Sequence, residues 1–158
     1  MKNRGLLNRF PPAVRTNWSD HYECMICGKN QWDCLHHILS KSSSLYIPGD
    51  HNRSILNSAP IHNFAHPNDV AKMNNNHYCH YGNEAFLYQD KVIVALLHKT
   101  IRALISIKYQ FNERDNMFLN VYSDLYLMET PDVLPKVERQ DMRYCVENSV
   151  DNMCVDYV

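Results

Sequence analysis

The apolar and polar positions of this chain follow two periods, and the longest regular stretch is helical. Between residues 84 and 109, Phe86, Ile93, Leu97, Ile101 and Leu104 recur at helical spacing and predict a long helix. A second helix is expected over residues 113–128, from Phe118, Leu119, Tyr122, Leu125 and Tyr126. The run Trp32 to Leu39 is short, apolar and punctuated by histidine, so it reads as a strand, and Ser54 to Leu56 reads as a second short strand. Ser58-Ala59-Pro60 offers a cap and an early proline. It predicts a helix that starts near Ser58, runs through His62 and His66, and is ended by Pro67. Residues 40–51, with Ser-Lys-Ser-Ser-Ser and Pro-Gly-Asp-His, form a loop, and the Asn- and His-rich residues 67–83 form a loop or a short helix. Arg4, Arg9 and Arg15 around Pro11-Pro12 suggest an irregular basic arm. From Thr130 onward, two prolines and many acids predict a segment that packs poorly or awaits a partner. No internal repeat is visible.

Length adds one bound: 158 residues suit one domain with an appendage. The composition is that of a globular protein, 45% hydrophobic and 21% charged, and no apolar run is long enough to span a bilayer. The N-terminus has basic residues but no apolar core of a secretory signal, so a cytoplasmic location is the expectation, that of the host cell if the chain is phage-encoded. The net charge of −1 hides an asymmetry. Residues 1–110 carry 12 Lys/Arg against 7 Asp/Glu, whereas residues 111–158 carry 4 against 10. A basic body with an acidic tail is compatible with a polyanionic partner, and the tail could compete with it. The chain divides into a basic N-terminal arm (1–19), a core (20–83), a helical extension (84–129) and an acidic tail (130–158) expected to be flexible.

The candidate chemistry lies in the core. Eight of the nine histidines fall between positions 21 and 80, and Cys24 and Cys27 form C-x2-C before Gly28. In a reducing compartment that spacing reads as half of a zinc site before it reads as a disulfide framework. Four residues can complete it: Cys34, His62, His77 or Cys79. Gly28 supplies the backbone freedom that a tight knuckle turn needs. Next come Cys34-Leu35-His36-His37-Ile38, then His51-Asn52-Arg53-Ser54-Ile55-Leu56-Asn57, then His62-x3-His66. Adjacent side chains on a strand face opposite ways, so His36 and His37 have different tasks. His62 and His66, four residues apart, would share one helix face and suit one metal ion.

In the order cysteine pair, His-His-Ile, asparagine, histidine pair, residues 22–66 resemble the HNH endonuclease family of phage type, with its ββα-metal motif. The resemblance implies an α+β fold: a zinc knuckle, a ββα-metal hairpin and helix, and a helical C-terminal extension. It implies metal-dependent hydrolysis of DNA phosphodiester bonds. His36 would be a metal ligand, with His62 and His66, and His37 the general base, a role that fits an imidazole of pKa about 6.5. The motif asparagine, which orients the base and tightens the hairpin, is Asn57 or, second, Asn52. With Asn57 in that place, His62 moves to the structural zinc beside Cys24 and Cys27, and His77 or His80 supplies the last catalytic ligand. One divalent cation is expected at the catalytic site (magnesium, manganese, zinc or nickel) and a structural zinc at the knuckle. Arg53 is the candidate phosphate contact. The partner is DNA, with no membrane involved and a further protein partner open through the C-terminal region. The alternative is a catalytically inactive, zinc-stabilised module for nucleic-acid binding or assembly, since no second C-x2-C follows the first.

Overall fold

A computed structural model of the chain describes residues 9–28, 31–62, 79–80, 84–130 and 133. Its first helix, α1, spans Pro12–Asn17 with proline in the first turn, where the missing N–H costs nothing. A 3-10 turn, Trp18–Asp20, follows directly. The segment read as an irregular arm is therefore helical from Pro12. Its anchor is Trp18, fully buried, whose indole N–H donates to Ser58 Oγ at 2.7 Å. A tryptophan of this size buried so completely ties residues 12–20 to the same core as Ile55, Leu56 and Ile61.

The sheet has two strands, β1 (Cys34–His37) and β2 (Ser58–Ile61). They run antiparallel with Leu35 opposite Pro60, His36 opposite Ala59 and His37 opposite Ser58. This corrects two expectations. Ser58 opens a strand and not a helix, and the strand expected at Ser54–Leu56 is a 3-10 turn, Ile55–Asn57, capped by the Ser54 hydroxyl accepting from Leu56 N–H. All four residues of β2 are buried, so cross-strand pairing and packing outweigh the local helix-start signal of Ser-Ala-Pro. Pro60 lacks an N–H, which a two-stranded sheet tolerates. Its carbonyl accepts from Met25 N–H at 2.9 Å and joins the cysteine turn to the sheet.

The long helical pattern after residue 84 is broken once. Helix α2 (Glu84–Leu87) and helix α3 (Asp90–Ser106) are separated at Tyr88–Gln89, where Gln89 takes an extended conformation. Helix α3 buries Val92 through Leu97 almost all round, as expected of a helix with neighbours on several sides. It packs against β2, the Ile55–Asn57 turn and the last short helix. Its polar contacts reach the core too: Thr100 Oγ1 donates to Ser58 O and Lys99 Nζ to Met25 O. The helix ends in a Schellman motif, with Tyr109 N–H on Leu104 O and Lys108 N–H on Ile105 O. Lys108 occupies the left-handed position there, at φ 59°.

The second predicted helix is also interrupted, into α4 (Glu113–Val121) and α5 (Ser123–Leu127), with Tyr122 between them. A reciprocal capping box starts α4: Asn112 Oδ1 accepts from Asp115 N–H, and Asp115 Oδ2 accepts from Asn112 N–H. Asp115 is 1% exposed and also accepts from Ser54 Oγ at 2.6 Å and Tyr109 Oη at 2.5 Å. One buried carboxylate thus ties the capped helix end to the turn that precedes Asn57. Among the described residues no helix is long and apolar enough to cross a membrane.

Candidate metal centre and the adjoining cleft

Cys24 and Cys27 lie on a turn closed by Gly28 N–H donating to Cys24 O, with Gly28 at φ 71°. Ile26 N–H points to Cys24 Sγ at 3.4 Å, an amide-to-sulfur contact inside the knuckle. His62 leaves the end of β2 and reaches the same place. Its Nδ1 is 3.2 Å from Cys27 Sγ and 3.8 Å from Cys79 Sγ. The ligand atoms of Cys24, Cys27, His62 and Cys79 all lie within 4.8 Å of one another, and all four residues are buried. Four donors at Zn–S and Zn–N distances of about 2.0–2.3 Å require edges of this size. These residues lie close enough to hold a metal ion, and three thiols with one imidazole suit zinc.

Protonation in the cluster points the same way. Burial pushes the Cys24 thiol up, but hydrogen bonds from Cys27, Cys79 and His62 bring it well below its ordinary value. Hydrogen bonding to Cys24 and Cys27, helped by burial, pushes Cys79 well above its own. Burial opposes a charged His62, yet Cys24 and Cys27 raise it to about 10. Without a metal the cluster thus pairs a Cys24 thiolate with a charged His62 imidazole in a buried site, and a bound cation would take the place of the imidazole proton.

Beside this centre opens a cleft of about 460 Å³, lined among others by His36, His37, His80, Tyr88, Lys41 and Arg53. His36 is 3% exposed and its Nε2 has no hydrogen-bond partner among the described residues. Burial, with smaller contributions from His80 and His37, lowers its pKa to about 3, so the ring is neutral. The His80 ring lies 5.1 Å from the His36 ring and the Tyr88 ring 5.7 Å from it. Burial lowers His80 as well, against the opposing charges of Glu84 and Asp33. His37 is half-buried at the end of β1, and Phe10 stacks on it with ring centroids 3.9 Å apart and planes 11° from parallel.

The two asparagines have distinct tasks. Asn57 is fully buried. Its Oδ1 accepts from Leu39 N–H at 2.7 Å, and its Nδ2 donates to Leu39 O and Asn52 O, each at 3.0 Å. It therefore holds the chain two residues beyond His37. Asn52 acts one step farther out. Its Nδ2 donates to Ile47 O and Gly49 O, and its Oδ1 accepts from Tyr122 Oη. Arg53 donates from Nε to Arg9 O and from Nη1 to Asp50.

The structure thus brings Cys24, Cys27 and His62 together with Cys79, and brings His36, His37 and Arg53 to one cleft with His80. It separates His62 from the cleft histidines. Cys34 is not part of the cysteine cluster, and burial raises its thiol to about 12. His66 and His77 lie outside the described residues. The sequence signal for the pair that matters was the adjacency Cys79-His80, a thiol and an imidazole whose neighbouring backbones serve two places. Phe10 and Tyr88 carried no such signal. Comparison of the chain with protein-family models, with curated proteins and with solved structures finds no match in any of the three.

Proposed function

We propose that the chain is a metal-dependent endonuclease of the HNH type that hydrolyses DNA phosphodiester bonds, with Cys24, Cys27, His62 and Cys79 around a structural zinc. The observation that carries this reading is the buried Nε2 of His36, without a partner among the described residues, in a cleft shared with His37 and His80. A buried polar nitrogen without a partner is costly, and a neutral imidazole in that state is a ready metal ligand. His36 and His80 would hold the catalytic cation, with His66 as a further ligand on the strength of the sequence resemblance. A divalent cation held there would supply positive charge to offset what builds on the phosphate and on the leaving oxygen.

The chain's own residues perform the rest. His37, the residue after the ligand, takes the proton from the attacking water. The stacked Phe10 ring limits how the imidazole turns, and Asn57 fixes the backbone that follows it. Arg53 at the cleft supplies a guanidinium for a phosphate oxygen. With Asn57 in the motif position, Asn52 braces the loop from the outside.

The test is a plasmid-nicking assay on wild type and on His37→Ala, with magnesium, manganese or nickel, after bound zinc has been counted by elemental analysis. The expected outcome is one zinc per chain, metal-dependent nicking by wild type, and loss of nicking with retained DNA binding in the variant. A folded, zinc-loaded wild type that cuts with none of these metals would leave a binding or assembly module in its place.

A further inference from the structure

Two arginines from separate elements converge on one exposed carboxylate at the edge of the cleft. Arg53 belongs to the 3-10 turn Asp50–Arg53, and Arg114 to the first turn of α4. Arg53 Nη1 lies 3.3 Å from Asp50 Oδ1, and Arg114 Nε lies 3.0 Å from Asp50 Oδ2. Each carboxylate oxygen therefore meets one guanidinium. The Asp50 side chain is 61% exposed, while the Arg53 and Arg114 side chains are 29% and 32% exposed. The cations are the better-seated partners and the anion is the accessible one.

We propose that Asp50 occupies the place of a nucleic-acid phosphate, and that Arg53 and Arg114 form a two-arginine site for a backbone phosphodiester next to the catalytic cleft. The proposal rests on the reading of the cleft as a DNA site. Four observations support it. Gly49, Asn52 and Arg53, which flank Asp50, line the cleft. Arg53 is held through Nε by the Arg9 carbonyl at 2.8 Å, which leaves its terminal amino groups to face an anion. Arg114 precedes Asp115, the buried carboxylate bonded to Ser54, Tyr109 and Asn112, so its backbone is fixed. The two non-bridging oxygens of a phosphodiester offer the same pair of acceptors as a carboxylate, and guanidinium groups bind both in fork geometry. Exposed ion pairs contribute little to stability, so exchange of Asp50 for phosphate is cheap. The site sits on α4, which extends the DNA contact onto the helical part of the chain.

The experiment measures binding of a duplex DNA oligonucleotide to the full, zinc-loaded chain by fluorescence anisotropy across a salt series, without the divalent ions that support cutting. Asp50→Asn removes the internal competitor while Arg53 and Arg114 remain. It is expected to bind about threefold or more tightly, with a steeper dependence on salt. Arg114→Gln is expected to bind more weakly, with the salt slope reduced by about one. Asp124→Asn, an exposed acid on α5, changes net charge equally and is expected to shift binding less than Asp50→Asn. Equal effects of the two Asp→Asn changes, weaker binding by Asp50→Asn, or no effect of Arg114→Gln in a folded chain would each overturn the proposal. If Asp50→Asn fails to fold, the Arg114→Gln slope alone decides. A chain that never cuts but shows these shifts retains the phosphate site and loses the nuclease. A chain that cuts but shows none retains the nuclease and loses the phosphate site.

Discussion

Replacing Asn57 by alanine should cost more than any other polar substitution around the cleft. The side chain makes three hydrogen bonds from a fully buried position: one from Leu39 N–H, one to Leu39 O and one to Asn52 O. Alanine leaves a backbone donor and two carbonyls without these partners, in a place water does not reach. A buried group stripped of its partner costs about 1–3 kcal/mol, and carbonyls are less demanding than N–H groups. The expected loss is therefore about 3–5 kcal/mol, a large part of the roughly 5–15 kcal/mol that stabilises an ordinary domain. Asn52→Ala loses bonds at a slightly more open site, 7% exposed, and should cost less, about 1–3 kcal/mol. Urea unfolding of the zinc-loaded proteins, followed by tryptophan fluorescence (Trp18 is at the core), measures both. Equal slopes would show that the transitions are comparable. An Asn57→Ala loss below about 1 kcal/mol, or a larger loss in Asn52→Ala, would refute the reasoning that Asn57 is the central brace.

Three further outcomes are expected. Cys79→Ser should lower zinc content well below that of wild type and destabilise the chain by an amount on the order of 4 kcal/mol, read by elemental analysis and thermal melting; unchanged zinc would exclude Cys79 as a ligand. His36 has a folded-state pKa of about 3, below an unfolded value of about 6.5, so the unfolded chain takes up the proton first and stability falls as pH drops from about 6.5 toward 3. His36→Gln should flatten that part of the stability profile relative to wild type, and parallel profiles would contradict the assignment. Lys108→Gly removes a side chain from a left-handed helix end and should stabilise the chain by about 1 kcal/mol, measured by urea unfolding, whereas destabilisation would show that the lysine contributes more than its backbone costs.

The sequence was most legible where a residue's chemistry decides its place. The C-x2-C-Gly turn, the strand carrying His36 and His37, and the long apolar period of α3 all lie where the pattern puts them. It was least legible where tertiary pairing overrides local preference. Ser58-Ala59-Pro60 has the chemistry of a helix start, yet its pairing with β1 makes it a strand, and nothing in those three residues announces the partner. The breaks at Tyr88–Gln89 and Tyr122 are similar: no proline or glycine marks them, and they follow from how α2 to α5 close on the core. Metal-ligand order was partly legible. The cysteine pair was visible, but His62 and Cys79 were two of four possible partners, because sequence spacing does not fix distance across so many residues. Contacts between distant elements, such as Phe10 on His37 and Arg114 on Asp50, left no local trace.

The peptide bond between Cys79 and His80 joins a residue of the cysteine cluster to one that lines the cleft. Any ion gripped by the thiols restrains the carbonyl and amide from which the next imidazole projects. If the cleft takes up the cation proposed for it, occupancy at the two places is thermodynamically linked: whatever factor the first ion adds to the affinity of the second, the second returns to the first. On that proposal the cluster would influence the cleft as well as staple the fold, because a thiol of the one and an imidazole of the other sit on adjacent residues. Titrating the cleft in the presence and absence of the buried ion would read this reciprocity as a single coupling constant, approached from either side.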